Sequence, residues 1–283
     1  KVTAVGADVS RYKVGDKVGV GCMVDSCRQC EACNADLEQY CLEGPTQTYA
    51  SKDRVDGSIT MGGYSDSIVV SERFVVRIPE KLDLASAAPI LCAGITTYSP
   101  LKHYNVKPGD KVGILGMGGL GHMGIKFAKA MGAEVTLFTR SEAKAEEGRR
   151  QGADHVIVST DAKQMAAAAG HFDFLLDTIP VQHDLNPYLQ TLRFDGVHIL
   201  VGLVEPVEPP VHSANLVTKR RVLAGSMIGG MAETQEVLDF CAEHGITCDI
   251  EMLDIRNIND AFTRVVAGDV KYRFVIDMAS LKA

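Results

Sequence analysis

Four of the chain's eight cysteines fall within one stretch, SCRQCEACNADLEQYC, as Cys27, Cys30, Cys33 and Cys41. Spaced C-x2-C-x2-C-x7-C, they form a loop short enough to wrap four thiolates around a single tetrahedral ion. Zinc suits such a set, because it favours sulfur and makes no geometric demand beyond four ligands. A four-sulfur site leaves no position for water or substrate, so this cluster is expected to hold structure and perform no chemistry. An iron–sulfur centre is the rival occupant, since the first three cysteines share ferredoxin spacing. In that motif the fourth cysteine stands three residues on and precedes a proline; here it stands eight on and precedes Leu42. Cys22, Cys241 and Cys248 have no partners at ligand spacing and are expected to be buried structural thiols.

A second grouping is built from glycine. KVGILGMGGLGHMG sets Gly116, Gly118 and Gly121 as G-x-G-x-x-G, directly after a strand-like run and at the start of a helical one. Without that context the string describes an ordinary glycine-rich turn. Within it, the string points to a dinucleotide site. Gly116 permits the tight turn, Gly118 lets backbone approach a pyrophosphate at the helix N-terminus, and Gly121 lets helix and strand pack closely. Met117, Gly119 and Leu120 complete the loop.

The next strand ends in VTLFTRSEAK, where an NAD site usually carries an acidic residue for the ribose 2′-hydroxyl. Thr139, Arg140, Ser141 and Lys144 stand there instead, and hydroxyls with two cations suit a 2′-phosphate. NADP(H) is therefore the expected cofactor. The plainer alternative is a solvated helix start with Ser141 as its N-cap. Glu142 falls past the strand end.

The surrounding pattern supplies elements to position these groups. Before about Pro79 the chain is strand-like and loop-rich, with strands expected at DKVGVGC, GGYSDSIVV and RFVVRIP. The opening KVTAVG suggests a strand running into a turn, as though something had been lost in front. ASAAPILCAGITTYSPLKHY has helix-forming composition broken by Pro89 and Pro100. Regular alternation follows: KVGILG, EVTLFT, HVIVS, FDFLLDTI and HILVGL as strands, with helical segments between them and RRVLAGSMI as a sixth strand. Continuous apolar strands between amphipathic helices predict an α/β fold with a doubly wound parallel sheet. The tail, AETQEVLDFCAEHG through KYRFVIDM, returns to a mixed pattern and could rejoin the first region.

Composition narrows the classes. A net charge of −7 without a basic stripe argues against nucleic acid, and no apolar run reaches the length of a membrane span. KVTAVGADVS has neither the apolar core nor the cleavage site of a signal peptide, which favours a reducing cytoplasm.

The zinc loop, PILCAGITTYSPL and GILGMGGLGHMGIKFAKAMG together resemble the cinnamyl-alcohol-dehydrogenase-like branch of the zinc-containing medium-chain alcohol dehydrogenases, including bacterial aldehyde reductases. LLDTIPVQHDLNPYL, GSMIGGMAETQEVLDFC and DVKYRFVID extend the similarity to the end of the chain. The resemblance implies a GroES-like catalytic domain over 1–91 and 233–283, carrying the structural zinc loop 22–42, and an NADP(H)-binding Rossmann domain over 92–232. It implies Cys92 as a ligand of a catalytic zinc and Thr96 and Thr178 near the nicotinamide. Val201, Gly202, Ser226 and Ile228 then line the cofactor, and Arg273 reaches its phosphates. The family's remaining ligands (a Cys, and a His followed by Glu) and its proton relay occupy an N-terminal segment whose motifs do not occur in this sequence, so the catalytic domain is expected to be N-terminally incomplete. His103, His122, His155 and His198 match no ligand or relay position and are expected on the surface or in packing.

The implied activity is interconversion of aldehydes and primary alcohols with NADP(H), favouring reduction of aromatic or medium-length aliphatic aldehydes. A homodimer joined near VLAGSMIGG is implied as well. The competing expectations are a zinc-stabilised NADPH-binding protein without turnover, and an interaction module that uses the Rossmann half only as scaffold.

Overall fold

A computed structural model describes residues 1–202 and 206–282. The chain forms two compact units, Thr96–Met227 and the combination of Lys1–Ile95 with Ile228–Ala283.

The Thr96–Met227 unit holds six parallel strands: β1 Lys111–Leu115, β2 Glu134–Thr139, β3 His155–Val158, β4 Phe172–Asp177, β5 Leu192–Leu200 and β6 Val222–Gly225. Their order across the sheet is β6-β5-β4-β1-β2-β3, the doubly wound arrangement expected from the alternating pattern. Central β1, β2 and β4 are buried nearly throughout, while edge strands β3 and β6 stay half exposed, as helices on both faces require. Phe138 meets Phe172 edge to face at 5.2 Å, within a core that includes Leu115, Leu175, Leu189 and Leu192. Full burial of each such side chain contributes about 1.5–3 kcal/mol. The helix that follows β1, α1 Gly121–Ala130, lies close to the sheet because Gly124 has no Cβ; one would stand 3.0 Å from Leu176. β5 is longer at its start than HILVGL suggests, and Leu203 of that stretch lies outside the described residues.

The other unit is irregular. Its strands are two to five residues long and pair as Val18–Gly19 with Val76–Arg77, Met23–Asp25 with Thr46–Gln47, Tyr49–Lys52 with Ile59–Met61, and Ile250–Asp254 with Arg273–Asp277. The helix Met231–His244 closes on Gly245, whose φ of 65° caps it.

Three expectations are corrected here. KVTAVG is not a strand: Val2 makes backbone bonds to Asp16 and Gly15 only, too few for a ladder. GGYSDSIVV is not one either, because no described strand pairs with it and Val69 is 99% exposed. Pro100 does not break its helix but sits inside Ala93–His103, where burial of Ile95, Tyr98 and Leu101 outweighs one missing backbone bond. Among the described residues no single helix is long and apolar enough to cross a membrane.

Candidate functional site

In the irregular unit, Cys27, Cys30, Cys33 and Cys41 bring their sulfurs within 4.8 Å of one another. Cys30 caps the one-turn helix Glu31–Asn34, which carries Cys33, and the 3-10 turn Glu38–Tyr40 delivers Cys41. Arg28 adopts a φ of 64°, a turn that few non-glycine residues take, and its guanidinium is tied to Asp25 at 2.8 Å. That turn lets Cys27 and Cys30 face the same centre. Backbone N–H groups of Cys27, Cys30 and Leu42 donate to Cys41, Cys27 and Cys30 sulfurs at 3.3, 3.3 and 3.4 Å. N–H bonds from Cys33 and Leu42 pull the Cys30 thiol down to about 6, while burial pushes Cys33 up to about 11. A regular tetrahedron with Zn–S bonds of about 2.3 Å has sulfur–sulfur edges of about 3.8 Å. The Cys27 and Cys33 sulfurs stand 3.9 Å apart, so the cluster fits zinc. The helix at Met231 buttresses the loop: Met231 N–H donates to Glu38 Oε2 at 3.0 Å, and a Cβ on Gly230 would collide with the Asp36 carbonyl oxygen.

Cys92, which is exposed, follows the 3-10 turn Ala88–Leu91. Cys22, expected to be a buried structural thiol, is instead half-buried. Its sulfur lies 3.6 Å from the Leu91 carbonyl oxygen and hydrogen-bonds with the Cys92 side chain. The hydrogen bond from Cys22 pulls the Cys92 thiol down to about 6 against the desolvation from surrounding protein atoms, with Arg273 helping, and the same contact pushes Cys22 up. Nothing in the sequence flags the pair, since seventy positions separate them and only packing joins them. Arg273 leads the strand Arg273–Asp277, and its buried Nε has no hydrogen-bond partner among the described residues. Ile228, at a φ of 37°, lies in this unit as well. Cys241 and Cys248 are buried, as expected of structural thiols.

In the sheet unit, the glycine loop follows β1 directly. Gly116 has a φ of 91°, and its N–H donates to the Phe138 carbonyl at 3.0 Å. A Cβ on Gly121 would stand 2.1 Å from the Gly116 carbonyl oxygen, whereas one on Gly118 would meet nothing within 4 Å. The two glycines therefore serve different ends: Gly121 is demanded by the fold, and Gly118 leaves open space beside the loop. Leu120 gives α1 no side-chain cap, and the His122 N–H donates to the Gly118 carbonyl at 3.1 Å, so the loop itself closes the start of the helix. This cradle fits a dinucleotide pyrophosphate.

Sheet register then aligns the expected cofactor residues. Leu115 pairs with Phe138 and Asp177, Asp177 with Leu200, and Leu200 with Gly225. The residues one step beyond that row are Thr139, Gly116, Thr178, Val201 and Ser226, a line at the carboxyl edge of five adjacent strands. Ligands of such sheets bind at that edge. Thr178 donates its hydroxyl to the Leu115 carbonyl at 2.7 Å, and a Cβ on Gly202 would stand 3.0 Å from the Ile179 carbonyl oxygen. Arg140, Ser141 and Lys144 are exposed where β2 meets the helix Glu142–Arg150, and Ser141 makes no side-chain cap bond. Thr96 is buried on the helix Ala93–His103.

A further cluster escaped notice in the sequence. Asp177, at the end of β4 and 1% exposed, accepts from both His183 Nε2 and His198 Nε2 at 2.9 Å through a single oxygen, Oδ2. Burial pushes its carboxyl up, but the two imidazole hydrogen bonds outweigh that and hold it below the ordinary range. The Asp177 hydrogen bond raises His183.

The Zinc-binding dehydrogenase family matches residues 119–243, and the Alcohol dehydrogenase GroES-like domain matches residues 1–80. The chain is 54% identical over its whole length to NADP-dependent alcohol dehydrogenase C 1 of Mycolicibacterium smegmatis, of which it covers 80%. It is 54% identical over 99% of its length to the aldehyde reductase YahK of Escherichia coli, again covering 80% of that relative. A cinnamyl alcohol dehydrogenase structure from Sorghum bicolor superimposes with a TM-score of 0.94 at 46% identity, over 98% of this chain and 79% of that one.

Proposed function

This chain belongs to the zinc-containing medium-chain alcohol dehydrogenases, in their cinnamyl-alcohol-dehydrogenase-like branch, and from that membership we propose that it reduces aromatic or medium-length aliphatic aldehydes to primary alcohols with NADPH. Its class is NADP-dependent alcohol dehydrogenase or aldehyde reductase, and its cofactors are zinc and NADP(H).

The observation that carries the reading is the row of residues at the carboxyl edge of the sheet. Gly116, Met117, Gly118, Gly119, Leu120 and Gly121 hold the pyrophosphate through backbone N–H groups. Thr139, Arg140, Ser141 and Lys144 hold the 2′-phosphate. Thr178, Val201, Gly202 and Ser226 line the path to the nicotinamide, with Thr96 beside it. When bound, NADPH supplies a hydride for the carbonyl carbon, and a catalytic zinc supplies the Lewis acidity that polarises the carbonyl oxygen. Cys92 offers that ion one thiolate. A catalytic zinc takes three protein ligands, and among the described residues no group of three ligand side chains includes Cys92. Cys92 thus holds one position of a shell that these residues do not complete. The cysteine cluster acts only as a structural brace.

The shell at Cys92, incomplete among the described residues, favours a second reading: the chain binds NADPH and one zinc but reduces aldehydes only at background rate. A second copy of the chain is the proposed partner, joined along the half-exposed edge strand β6, where unpaired backbone groups invite pairing.

The test pairs a zinc assay with NADPH oxidation by an aromatic aldehyde. Turnover with two zincs per chain is expected where the full ligand set is present, and Cys92→Ala should then abolish turnover while sparing NADPH binding and the cluster zinc. Efficient turnover in the Cys92→Ala protein overturns the zinc-centred reading.

A further inference from the structure

His183 makes two hydrogen bonds that no neutral imidazole can make together. Nδ1 faces the Val181 carbonyl oxygen at 2.8 Å, and Nε2 faces Asp177 Oδ2 at 2.9 Å. Both partners are acceptors, so both ring nitrogens must carry hydrogen, and the geometry is that of an imidazolium. His198 differs: among the described residues only its Nε2 has a partner, its Nδ1 being buried without one, so its geometry does not require a second ring proton. The positive charge that compensates the buried Asp177 carboxylate therefore resides on His183.

This pair ties down a turn that abuts the glycine loop. Asp177 Oδ1 accepts the Ile179 N–H at 3.1 Å, while Oδ2 holds His183, so one carboxylate grips the turn at both ends. Between those points Thr178 is bonded to the Leu115 carbonyl through both its N–H and its hydroxyl, at 3.1 and 2.7 Å. The Thr178 hydroxyl and the Ile179 side chain stand 3.2 and 3.3 Å from where a Cβ on Gly116 would project. Movement of the turn therefore moves one wall of the cofactor loop.

We propose that His183 is a positioning residue for NADP(H), its imidazolium pinning the 178–183 turn against the glycine loop so that cofactor affinity depends on the protonation of this one ring. The proposal rests on the reading of the sheet edge as the cofactor site. Loss of the ring proton removes the cation from beside the buried carboxylate and turns one ring-nitrogen lone pair toward an acceptor, either the Val181 carbonyl or Asp177 Oδ2, and both effects are costly. The groups that face the ring are Asp177 from β4, Asp184 from the turn itself, His198 from β5 through the shared carboxylate, and Tyr188 from the helix Asn186–Thr191, at 6.0 Å between ring centroids. Arg140 acts on Tyr188. The carboxylates favour the cation, so the folded-state pKa lies above the ordinary value of about 6.5. The pinned state is complete below about pH 6.5 and is lost as pH rises through that raised value.

The test is NADPH affinity by fluorescence titration between pH 6 and pH 9 for the wild type, His183→Lys and His183→Gln. Lysine keeps a cation beside Asp177 without titrating in this range. Relative to the lysine variant, which cancels the pH response of the cofactor's own phosphate, wild-type affinity should fall about tenfold across the range. The glutamine variant should be weak at every pH. Parallel profiles for wild type and lysine variant, or full affinity in the glutamine variant, overturn the proposal. Failure of the wild type to bind NADPH at any pH overturns instead the cofactor reading beneath it.

Discussion

In the cysteine loop, all four sulfurs come from residues 27–41 of one local stretch. At the carboxyl edge of the sheet, Gly116, Thr139, Thr178, Val201 and Ser226 come from five strands and meet only because the strands pair in one register. The loop has little apolar burial of its own and depends on its ion. The edge depends on a core of Leu115, Phe138, Phe172 and Leu175. The cluster should therefore be sensitive to metal removal and the edge to changes in packing.

The largest expected effect separates the two regions most sharply. Cys30→Ser should cost on the order of 5 kcal/mol of folding stability, part of the ~10–16 kcal/mol that a structural zinc contributes in small domains. Zinc content should fall by one per chain, read by a colorimetric assay alongside thermal unfolding. NADPH affinity of the folded fraction should be unchanged, and its collapse would break the contrast.

Next come the two glycines of the loop. Gly121→Ala forces a Cβ against the Gly116 carbonyl and should destabilise the protein by about 1–3 kcal/mol and impair NADPH binding. Gly118→Ala meets nothing within 4 Å, so it should leave the unfolding temperature alone and weaken only the cofactor. Equal effects of both on stability would remove the distinction between a glycine required by the fold and one kept clear for the ligand.

Smaller still are changes at the end of β2. Arg140→Ala should weaken NADPH by about 1.5–3 kcal/mol, the value of a charge-assisted contact, and leave NADH as it was. Calorimetry with both cofactors checks this, and equal losses would sink the 2′-phosphate role. Ser141→Ala should change stability by less than about 0.5 kcal/mol, since its hydroxyl makes no capping bond. Any effect on NADPH then reports a direct contact.

What the sequence determined by itself was whatever a short stretch of chain can specify. The cysteine spacing, the strand–glycine–helix junction and the absence of an acidic residue at the end of β2 each involve groups a few positions apart. Local geometry decides such features, and alternating apolar runs sufficed for the parallel sheet. The same local reading failed at KVTAVG and GGYSDSIVV, because a strand needs a partner that composition does not supply. It failed at Pro100, where tertiary burial overrode a local preference. Only the folded chain could place Cys22 against Cys92, or set His183 and His198 on one oxygen of Asp177. Those contacts join residues whose proximity follows from strand order, register and core packing, and long-range proximity of that kind has no periodicity in the chain to announce it.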